Sequence, residues 1–314
     1  MTVLVALDHL TLDQVVTVPR AATKVGEASI DLRPGERITV RELVEASLVP
    51  SANDAATALA LAASGGSLRR FVSWMNAEAA VLGLDDTHFV NPHGLDAVGH
   101  VSSARDVVTL LRAALEQPVI RRYLATRAAE LEGHGEVETT DDLLARYGPL
   151  VAGKTGHTDG AGWSEVALAR RGPITVVASV LGEPTRQRRN DDLESLLAWG
   201  LLQYRHIRAI ESGRVYASAH APYGRAAVQL VAGRSVVRLQ RVGVPLLERV
   251  VAPSDVSLPV RKGQRLGTVQ VFQGRELVAR APLLASRSVA RPGLLGRTRW
   301  YATRTLRHLT SMLS

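Results

Sequence analysis

The sequence predicts an α/β fold of the α+β type, in which helices pack on a mostly antiparallel sheet, followed by a small all-β domain and a C-terminal amphipathic helix. Three observations predict this order. Helix-start signals and helical periodicity dominate up to residue 116, strand-like runs joined by a turn follow near 164–181, and short strand-like segments with glycine turns begin near Gly213. The expected bounds are 1–211 for the first domain, 212–290 for the β domain and 291–314 for the terminal helix.

The composition is that of a soluble globular chain, since 46% of its 314 residues are hydrophobic and 22% are charged. A net charge of +8 suits nucleic acid, an anionic membrane or another anionic polymer as a partner. Aromatic residues make up only 4% and do not interleave with basic ones, so nucleic acid is disfavoured. The sequence contains no cysteine, which excludes disulfides, thiolate catalysis and cysteine metal sites.

Helices are expected to dominate the first part of the chain. Residues 3–10 are apolar almost all round, which indicates a helix buried on every side. Thr39 and Glu42 have the spacing of a capping box and begin a helix that continues to Pro50. Ser103 is a suitable N-cap for a helix that runs to Glu116. Further helices are expected over residues 53–64 and 68–82.

Strands are expected in the rest of the chain. Ser164–Ala169 and Ile174–Leu181 are strand-like runs on either side of a turn at Arg171-Gly172-Pro173, and a helix is expected over residues 191–204. In the β domain, Leu266–Phe272 and Leu277–Ala281 flank a glycine-containing turn, which predicts a hairpin.

The C-terminal segment 293–314 has the pattern of an amphipathic helix. Its apolar stripe consists of Leu295, Ala302, Leu306, Leu309 and Leu313, and the largely opposite face carries Arg297, Arg304 and Arg307. A helix of this kind either lies on an anionic membrane or packs on the β domain. The basic residues and Trp300 favour contact with an anionic membrane.

Two short motifs contain candidate catalytic residues. Ser51-Ala52-Asn53 stands between two expected helices, and Lys154-Thr155-Gly156 precedes an expected strand. Alone, the first triplet usually caps a helix and the second often marks an ordinary turn. In this order on one chain, they are typical of serine acyl-transferases that act on penicillin-like substrates.

Longer matches surround both motifs, and they occupy residues 51–56, 75–83, 87–95, 99–106, 154–163, 196–200 and 260–267. With them, the sequence resembles the D-alanyl-D-alanine carboxypeptidases, the low-molecular-mass penicillin-binding serine peptidases, over almost the whole chain. The resemblance implies the penicillin-binding or β-lactamase-like transpeptidase fold. It also implies peptidoglycan stem peptides as substrates and β-lactams as ligands of the full-length form, with no cofactor.

The resemblance assigns a role to each candidate site residue. Ser51 would relay a proton toward the leaving amine, Asn53 would bind the substrate's backbone amide, and Lys154 would stabilise the developing anion. Substrate-binding roles fall on Thr155, Gly156, His157 and Arg189: His157 would offer its backbone N–H to the oxyanion, and Thr155 and Arg189 would bind the terminal carboxylate. The neighbouring Arg188 is an alternative to Arg189. No metal is expected, because His88, His93, His100 and His134 lack ligand spacing.

One motif of the family is missing from the sequence. The family requires Ser-x-x-Lys, in which the serine attacks the substrate and the lysine accepts its proton. The lysines here are Lys24, Lys154 and Lys262, and Ala21, Val151 and Pro259 stand three residues before them. Met1-Thr2 and the apolar residues that follow resemble the continuation of the motif, which would place the lysine two residues upstream of Met1.

Two explanations remain open. Met1 is an internal methionine, with the nucleophile, a first strand and a signal peptide encoded upstream, or the chain is a non-catalytic relative that binds peptidoglycan. The first is favoured, because Ser51, Asn53 and Lys154 are retained. We therefore expect the chain as given to be inactive and the natural protein to be extracytoplasmic, in the cell envelope. A serine β-lactamase is a third alternative, disfavoured because that class usually has a single domain.

Overall fold

A computed structural model of the chain describes residues 1–312, with side chains through residue 305. The chain divides into two compact units after Leu201. The sequence placed this boundary after residue 211. The difference arises because residues 204–210 form a strand that pairs with residues 236–241 of the second unit.

The first unit combines helices with three small antiparallel sheets. Its helices are α1 (Thr2–Leu7), α2 (Val40–Leu48), α3 (Asn53–Ala63), α4 (Leu68–Val81), α5 (Ala104–Ala114), α6 (Pro118–Tyr123), α7 (Leu143–Arg146) and α8 (Arg186–Leu202). Its strands are β1 (Val15–Thr17), β2 (Arg37–Thr39), β3 (Ala128–Leu131), β4 (Gly135–Glu138), β5 (Leu150–Thr158), β6 (Gly162–Arg171) and β7 (Ile174–Glu183). The pairs are β1 with β2 and β3 with β4, and the third sheet has the order β5-β6-β7.

Several expected elements are confirmed with their physical causes. Thr39 caps α2 by accepting a hydrogen bond from the N–H of Glu42, whose carboxylate accepts from the N–H of Thr39 in return. Ser103 caps α5 by accepting a hydrogen bond from the N–H of Asp106. The mixed α/β class with mostly antiparallel sheets is also confirmed.

Two sequence predictions need correction. Helix α8 begins at Arg186 rather than at residue 191 and ends at Leu202, and Tyr204 belongs to a strand. Its first turns are polar, with ion pairs such as Arg188–Asp192, so apolar periodicity did not reveal them. The Lys-Thr-Gly motif lies inside β5 rather than before it.

Strand β5 lies between two apolar cores. The larger core surrounds α3, whose alanines allow neighbouring helices to approach closely, and Ala55, Ala58 and Leu59 are fully buried there. The second core, between the sheet and α8, includes Ala167, Leu193, Leu197 and Leu201. A strand packed on both faces holds its side chains in fixed directions, alternately toward one core and the other.

The second unit is built of strands and one terminal helix. These are β8 (Tyr204–Ile210), β9 (Val215–Ala219), β10 (Val228–Ala232), β11 (Val236–Arg241), β12 (Leu246–Val251), β13 (Arg265–Gln273), β14 (Glu276–Ala285) and α9 (Leu294–Met312). One sheet has the order β12-β13-β14-β10-β9, and β8 pairs with β11. The predicted hairpin is confirmed as β13 and β14.

Helix α9 places Trp300 against the turn at Tyr223, with ring centroids 5.6 Å apart, and Arg304 over the Trp300 ring at 5.1 Å. Leu295 and Ala302 of the predicted stripe are exposed. The side chains of Leu306, Arg307, Leu309 and Leu313 lie outside the described residues. Among residues 1–312, every helix is too short or too polar to cross a membrane.

Candidate active site

Ser51 lies in the turn between α2 and α3, where its backbone is left-handed with a φ of 63°. A non-glycine residue in this conformation costs roughly 1–3 kcal/mol. The turn is held by two backbone bonds, from the N–H of Ala52 to the carbonyl of Ala46 (2.9 Å) and from the N–H of Asn53 to that of Ala28 (2.8 Å). The surrounding structure therefore fixes the backbone of the turn that contains Ser51.

Lys154 on β5 joins this hydroxyl from across the cleft. Its Nζ donates to Oγ of Ser51 at 2.7 Å and to the carbonyl of Thr155 at 2.9 Å. Burial lowers the pKa of Lys154 to about 8, although the carboxyls of Asp141 and Glu165 act in the opposite direction. A lysine with this pKa is charged near neutral pH and can still give up a proton, which suits a proton relay with Ser51.

The start of α3 also shapes the cleft. Nδ2 of Asn53 donates to the carbonyl of Gly26 at 3.0 Å. The buried carboxylate of Asp54 accepts from the hydroxyl of Ser29 at 2.7 Å and from the N–H of Leu32 at 3.1 Å. These bonds fix the loop that contains Ala28, which lines the cleft.

The opposite wall is held by Asp96, in the loop between α4 and α5. Its carboxylate accepts from the hydroxyl of Thr158 at 2.7 Å and from the N–H of Gly160 at 3.1 Å. A Cβ at Gly160 would lie 2.8 Å from the Asp96 carboxylate, so the close approach requires glycine. This loop is thereby tied to the end of β5.

These walls enclose a polar cavity of about 560 Å³. The predicted site residues all line it, namely Ser51, Asn53, Lys154, Thr155, Gly156, His157 and Arg189. A second, more apolar cavity of about 340 Å³ shares Ser51, Asn53 and Lys154 with the first and is also lined by Met1, Thr2 and Val3. The start of α1 therefore lies beside the Ser51–Lys154 pair.

Strand β5 is an edge strand, because β6 is its only partner among the described residues. The N–H of Gly153 already donates to the carbonyl of Leu124 at 3.3 Å, and the carbonyl of Thr155 accepts from Nζ of Lys154. The rest of this edge could pair with an extended peptide. The hydroxyl of Thr155 bonds that of Thr140 at 2.5 Å, while Gly156 and His157 are exposed. The ring of His157 lies on Trp163, with centroids 4.0 Å apart.

The two candidate arginines, Arg189 and Arg188, differ in burial and in their contacts. Arg189 is only 1% exposed, lines the cavity and places Nε 3.0 Å from Oε2 of Glu165. Its Nη2 donates to Oδ1 of Asn190 at 2.6 Å. Arg188 is exposed and pairs with Asp192 on the same helix. Arg189, rather than Arg188, therefore faces the cavity, and its carboxylate-binding role stays a prediction.

Comparison with known proteins gives a consistent result. A family model described as D-alanyl-D-alanine carboxypeptidase matches residues 1–185. The carboxypeptidase DacD of Salmonella typhimurium is 30% identical over 296 residues, which span 91% of this chain and 76% of the relative. The chain belongs to the D-alanyl-D-alanine carboxypeptidase family. DacB2 of Mycobacterium tuberculosis is 36% identical over 208 residues, 63% of this chain and 70% of that protein.

Solved structures of the family have the same fold. Penicillin-binding protein 6B from Escherichia coli matches with a TM-score of 0.64 at 27% identity, over 90% of this chain and 85% of that one. DacD from Francisella tularensis matches with a TM-score of 0.63 at 21% identity, over 93% and 86%, and shows the fold alone. The likeness extends over both units of this carboxypeptidase family member.

A buried carboxyl pair next to the cleft of this family member was not predicted from the sequence. Asp141 and Glu165 are each 2% exposed. Burial raises the pKa of both, and the nearby Asp141 helps to raise that of Glu165 to about 8. A signal for Glu165 existed, since an acidic residue occupies an inward position of an otherwise alternating apolar strand. Asp141, in a polar loop, carried no such signal.

Arg186 was also missed. It lines the cavity and bonds Asp142 with two nitrogens.

Proposed function

We propose that this chain provides the substrate cleft and proton relay of a serine-type D-Ala-D-Ala carboxypeptidase, which removes the terminal D-alanine of peptidoglycan stem peptides through an acyl-enzyme. The observation that carries the proposal is the 2.7 Å contact between Nζ of Lys154 and Oγ of Ser51, inside a cavity bordered by an open strand edge. The names of the relatives support the substrate class.

In the proposed reaction, a serine hydroxyl attacks the carbonyl carbon of the penultimate D-alanine and loses its proton to a base. The tetrahedral intermediate collapses and the C–N bond breaks. The leaving amine takes a proton from Oγ of Ser51, which Nζ of Lys154 replaces. Water then hydrolyses the ester.

Substrate-binding residues would act before and during these steps. The edge of β5 would pair with the peptide, and the N–H of His157 would donate to the oxyanion, a contact worth roughly 2.7–4 kcal/mol in other hydrolases. The amide of Asn53 would bind the peptide backbone. Thr155 and Arg189 would receive the terminal carboxylate, with Thr155 oriented by its bond to Thr140.

The attacking serine is the missing part of this scheme, because the sequence contains no Ser-x-x-Lys. We propose that an upstream coding segment supplies it. The position of Thr2 and Val3 beside Lys154 supports this, since a serine and lysine on a helix leading into α1 would enter the same cleft. The alternative is a chain that binds stem peptides without cleaving them.

The test compares the chain with a protein extended by the natural upstream coding sequence. The extended protein should release D-alanine from a peptide that ends in D-Ala-D-Ala and should form a covalent penicillin adduct, measured by mass spectrometry. The chain as given should form none, because Ser51 lacks a second lysine base. Stoichiometric acylation of Ser51 in the short chain, or a folded extended protein with Ser-x-x-Lys and neither activity, would contradict the proposal.

We also propose an extracytoplasmic location at the cell envelope, with α9 on anionic bilayers. Leu294 and Leu295 are 74% and 89% exposed, and Arg299 and Arg304 supply positive charge on the same helix. Sedimentation with anionic liposomes should capture the chain, less so at high salt because screening weakens the attraction. Equal capture of the chain without residues 293–314 would contradict the membrane contact.

A further inference from the structure

Three buried oxygens beside strand β5 have no hydrogen-bond donor among the described residues: Oδ2 of Asp141 and both carboxyl oxygens of Glu165. Their neighbours are closely placed. Oδ2 of Asp141 lies so near Gly153 that a Cβ there would be 2.2 Å away, and Oε2 of Glu165 is 3.0 Å from Nε of Arg189. The two carboxyl groups are within hydrogen-bonding contact of each other. Buried acceptors without donors are costly, and two buried carboxylates in contact also repel each other.

A single proton on Glu165 would supply a hydrogen-bond donor and remove the repulsion between the two carboxylates. Its O–H would donate to Oδ2 of Asp141, and its other oxygen would face the Arg189 guanidinium, whose Nε lies 3.0 Å from Oε2 and donates to Oδ1 of Asn190 at 3.1 Å. Oδ1 of Asp141 already accepts from the backbone N–H groups of Leu143 (2.9 Å) and Leu144 (3.3 Å), which favour the ionised form of that residue. Oδ2 of Asp141 then has a donor, the repulsion between two charged carboxylates is removed, and one negative charge remains opposite Arg189.

We propose that Asp141 and Glu165 share one buried proton, and that this pair positions the guanidinium of Arg189 with one nitrogen free to bind the substrate's terminal carboxylate. Nε of Arg189 lies 3.0 Å from Oε2 of Glu165 and donates to Oδ1 of Asn190 at 3.1 Å, and Nη2 donates to Asn190 at 2.6 Å and to Asp142 at 3.5 Å. Nη1 has no hydrogen-bond partner within the described part of the chain, and Arg189 lines the cavity. Arg189 would thus present that nitrogen to the cleft. The positioning role rests on the proposed function, whereas the shared proton does not.

The charges around the pair come from three elements. Arg189 approaches from α8, Lys154 from β5, and Asp142 from the loop before α7. Asp142 is partly neutralised by Arg186, which bonds it with two nitrogens at 2.7 and 2.6 Å. The nearby cations favour one ionised carboxyl, and burial with the second negative charge disfavours two.

The shared proton has a defined effect on stability. Burial and Asp141 raise the pKa of Glu165 from 4.5 to about 8. The folded chain therefore holds this proton over a range in which the unfolded chain has lost it. Its stabilising contribution is complete below about pH 4.5 and is lost as the pH rises toward about 8. Lys154 has a lowered pKa, so its contribution to stability changes with pH mainly above about pH 8, and the two windows differ.

The experiment is urea unfolding of the chain across pH for the parent, Glu165→Gln, Glu165→Ala and the exposed control Glu132→Gln. A glutamine mimics the protonated acid, because its NH₂ can donate to Asp141 while its oxygen stays next to the Arg189 guanidinium. Relative to Glu165→Gln, the parent's unfolding midpoint should fall as the pH rises from about 5 to about 8. Glu165→Ala should unfold more easily at every pH in this window, and Glu132→Gln should follow the parent.

An infrared spectrum in D₂O should give a second readout at neutral pH. A protonated carboxyl band should be present in the parent and in Glu132→Gln and absent from Glu165→Gln. Parallel midpoint curves for the parent and Glu165→Gln, or a band that survives in Glu165→Gln, would overturn the shared proton.

Arg189 positioning is tested separately in the extended protein. Glu165→Ala should raise KM for a D-Ala-D-Ala peptide roughly tenfold or more with a smaller change in kcat, and Glu165→Gln should restore the parent KM. An unchanged KM in a folded, active Glu165→Ala protein would overturn the positioning role. An inactive extended parent would instead count against the proposed function and leave the stability result standing.

Discussion

The two faces of strand β5 carry opposite kinds of polar chemistry. On one face, Lys154 is partly exposed to the cleft and has two hydrogen-bond acceptors, including the Ser51 hydroxyl. On the other face, beside Gly153 and Thr155, Asp141 and Glu165 are buried with oxygens that lack donors. Ser51 and Lys154 thus keep access to water and substrate. The buried carboxyls of Asp141 and Glu165 lack that access, and in our proposal a shared proton stabilises them.

Replacement of Lys154 tests the cleft face and should have the largest effect. In the extended protein, Lys154→Ala should slow acylation by penicillin by roughly 10²–10⁴-fold, because both the charge beside Ser51 and the proton source are lost. The rate is measured with a fluorescent β-lactam. Lys262→Ala, in the second unit, is the matched control and should react like the parent.

If Lys154→Ala folds normally and acylates at the parent rate, the cleft face has no catalytic role. The two faces of β5 would then differ in burial and not in catalytic function.

Substitution of Gly153 tests the buried face. A Cβ would lie 2.2 Å from Oδ2 of Asp141 and 3.4 Å from the Cβ of Ala167, so Gly153→Ala should destabilise the chain by roughly 1–3 kcal/mol. Gly148→Ala is the control, since its Cβ would meet nothing within 4 Å. Urea unfolding measures both. Equal stabilities would mean that Asp141 can move away from the strand at little cost.

Replacement of Arg189 and of Arg188 tests whether the buried face of β5 influences substrate binding in the cleft. Arg189→Lys should raise KM for the peptide by roughly tenfold, because a lysine has one nitrogen and cannot reproduce the planar fork that contacts Glu165 and Asn190 and leaves a separate nitrogen for the substrate carboxylate. Arg188→Lys should change KM little, since Arg188 is exposed and pairs only with Asp192 among the described residues. Steady-state kinetics of the extended protein decide between them, and a reversed order would assign the carboxylate to Arg188.

His134 lies outside both faces of β5, and its replacement should have the smallest effect on acylation. Its ring nitrogens contact the carbonyl of Ile30 at 2.7 Å and the carboxylate of Glu36 at 2.6 Å. His134→Ala should therefore leave acylation within about twofold and lower stability by about 1 kcal/mol. A large loss of acylation would show that the hairpin of β3 and β4 supports the cleft.

Sequence reasoning worked best where chemistry is local. The capping box at Thr39, the cap at Ser103 and the strands on either side of Gly172 depend on neighbouring residues, and each was predicted. Family motifs likewise supplied every predicted residue that lines the polar cavity. Helix α8 was misplaced because its first turns form ion pairs rather than an apolar stripe.

The missed residues share a different property, which is dependence on distant partners. Asp141 and Glu165 are separated by many positions and meet only when β6 pairs with β5. Asp96 acquires its role only through Thr158 and Gly160. Residue type and spacing do not encode such contacts. Glu165 at least stood out as an acid at an inward position of an apolar strand, whereas Asp141 and Asp96 look like any surface acid in the sequence.

Trp163 is placed so that its intrinsic fluorescence can report on the cleft. Its ring lies on His157 at 4.0 Å, faces the Arg189 guanidinium at 5.8 Å and borders the polar cavity. The other tryptophans are elsewhere: Trp74 stacks on His9, Trp199 lies on α8 and Trp300 packs on Tyr223. With those three changed to phenylalanine, the remaining emission would come from the cleft alone. Peptide entry would then be visible as a change in intensity without any attached dye.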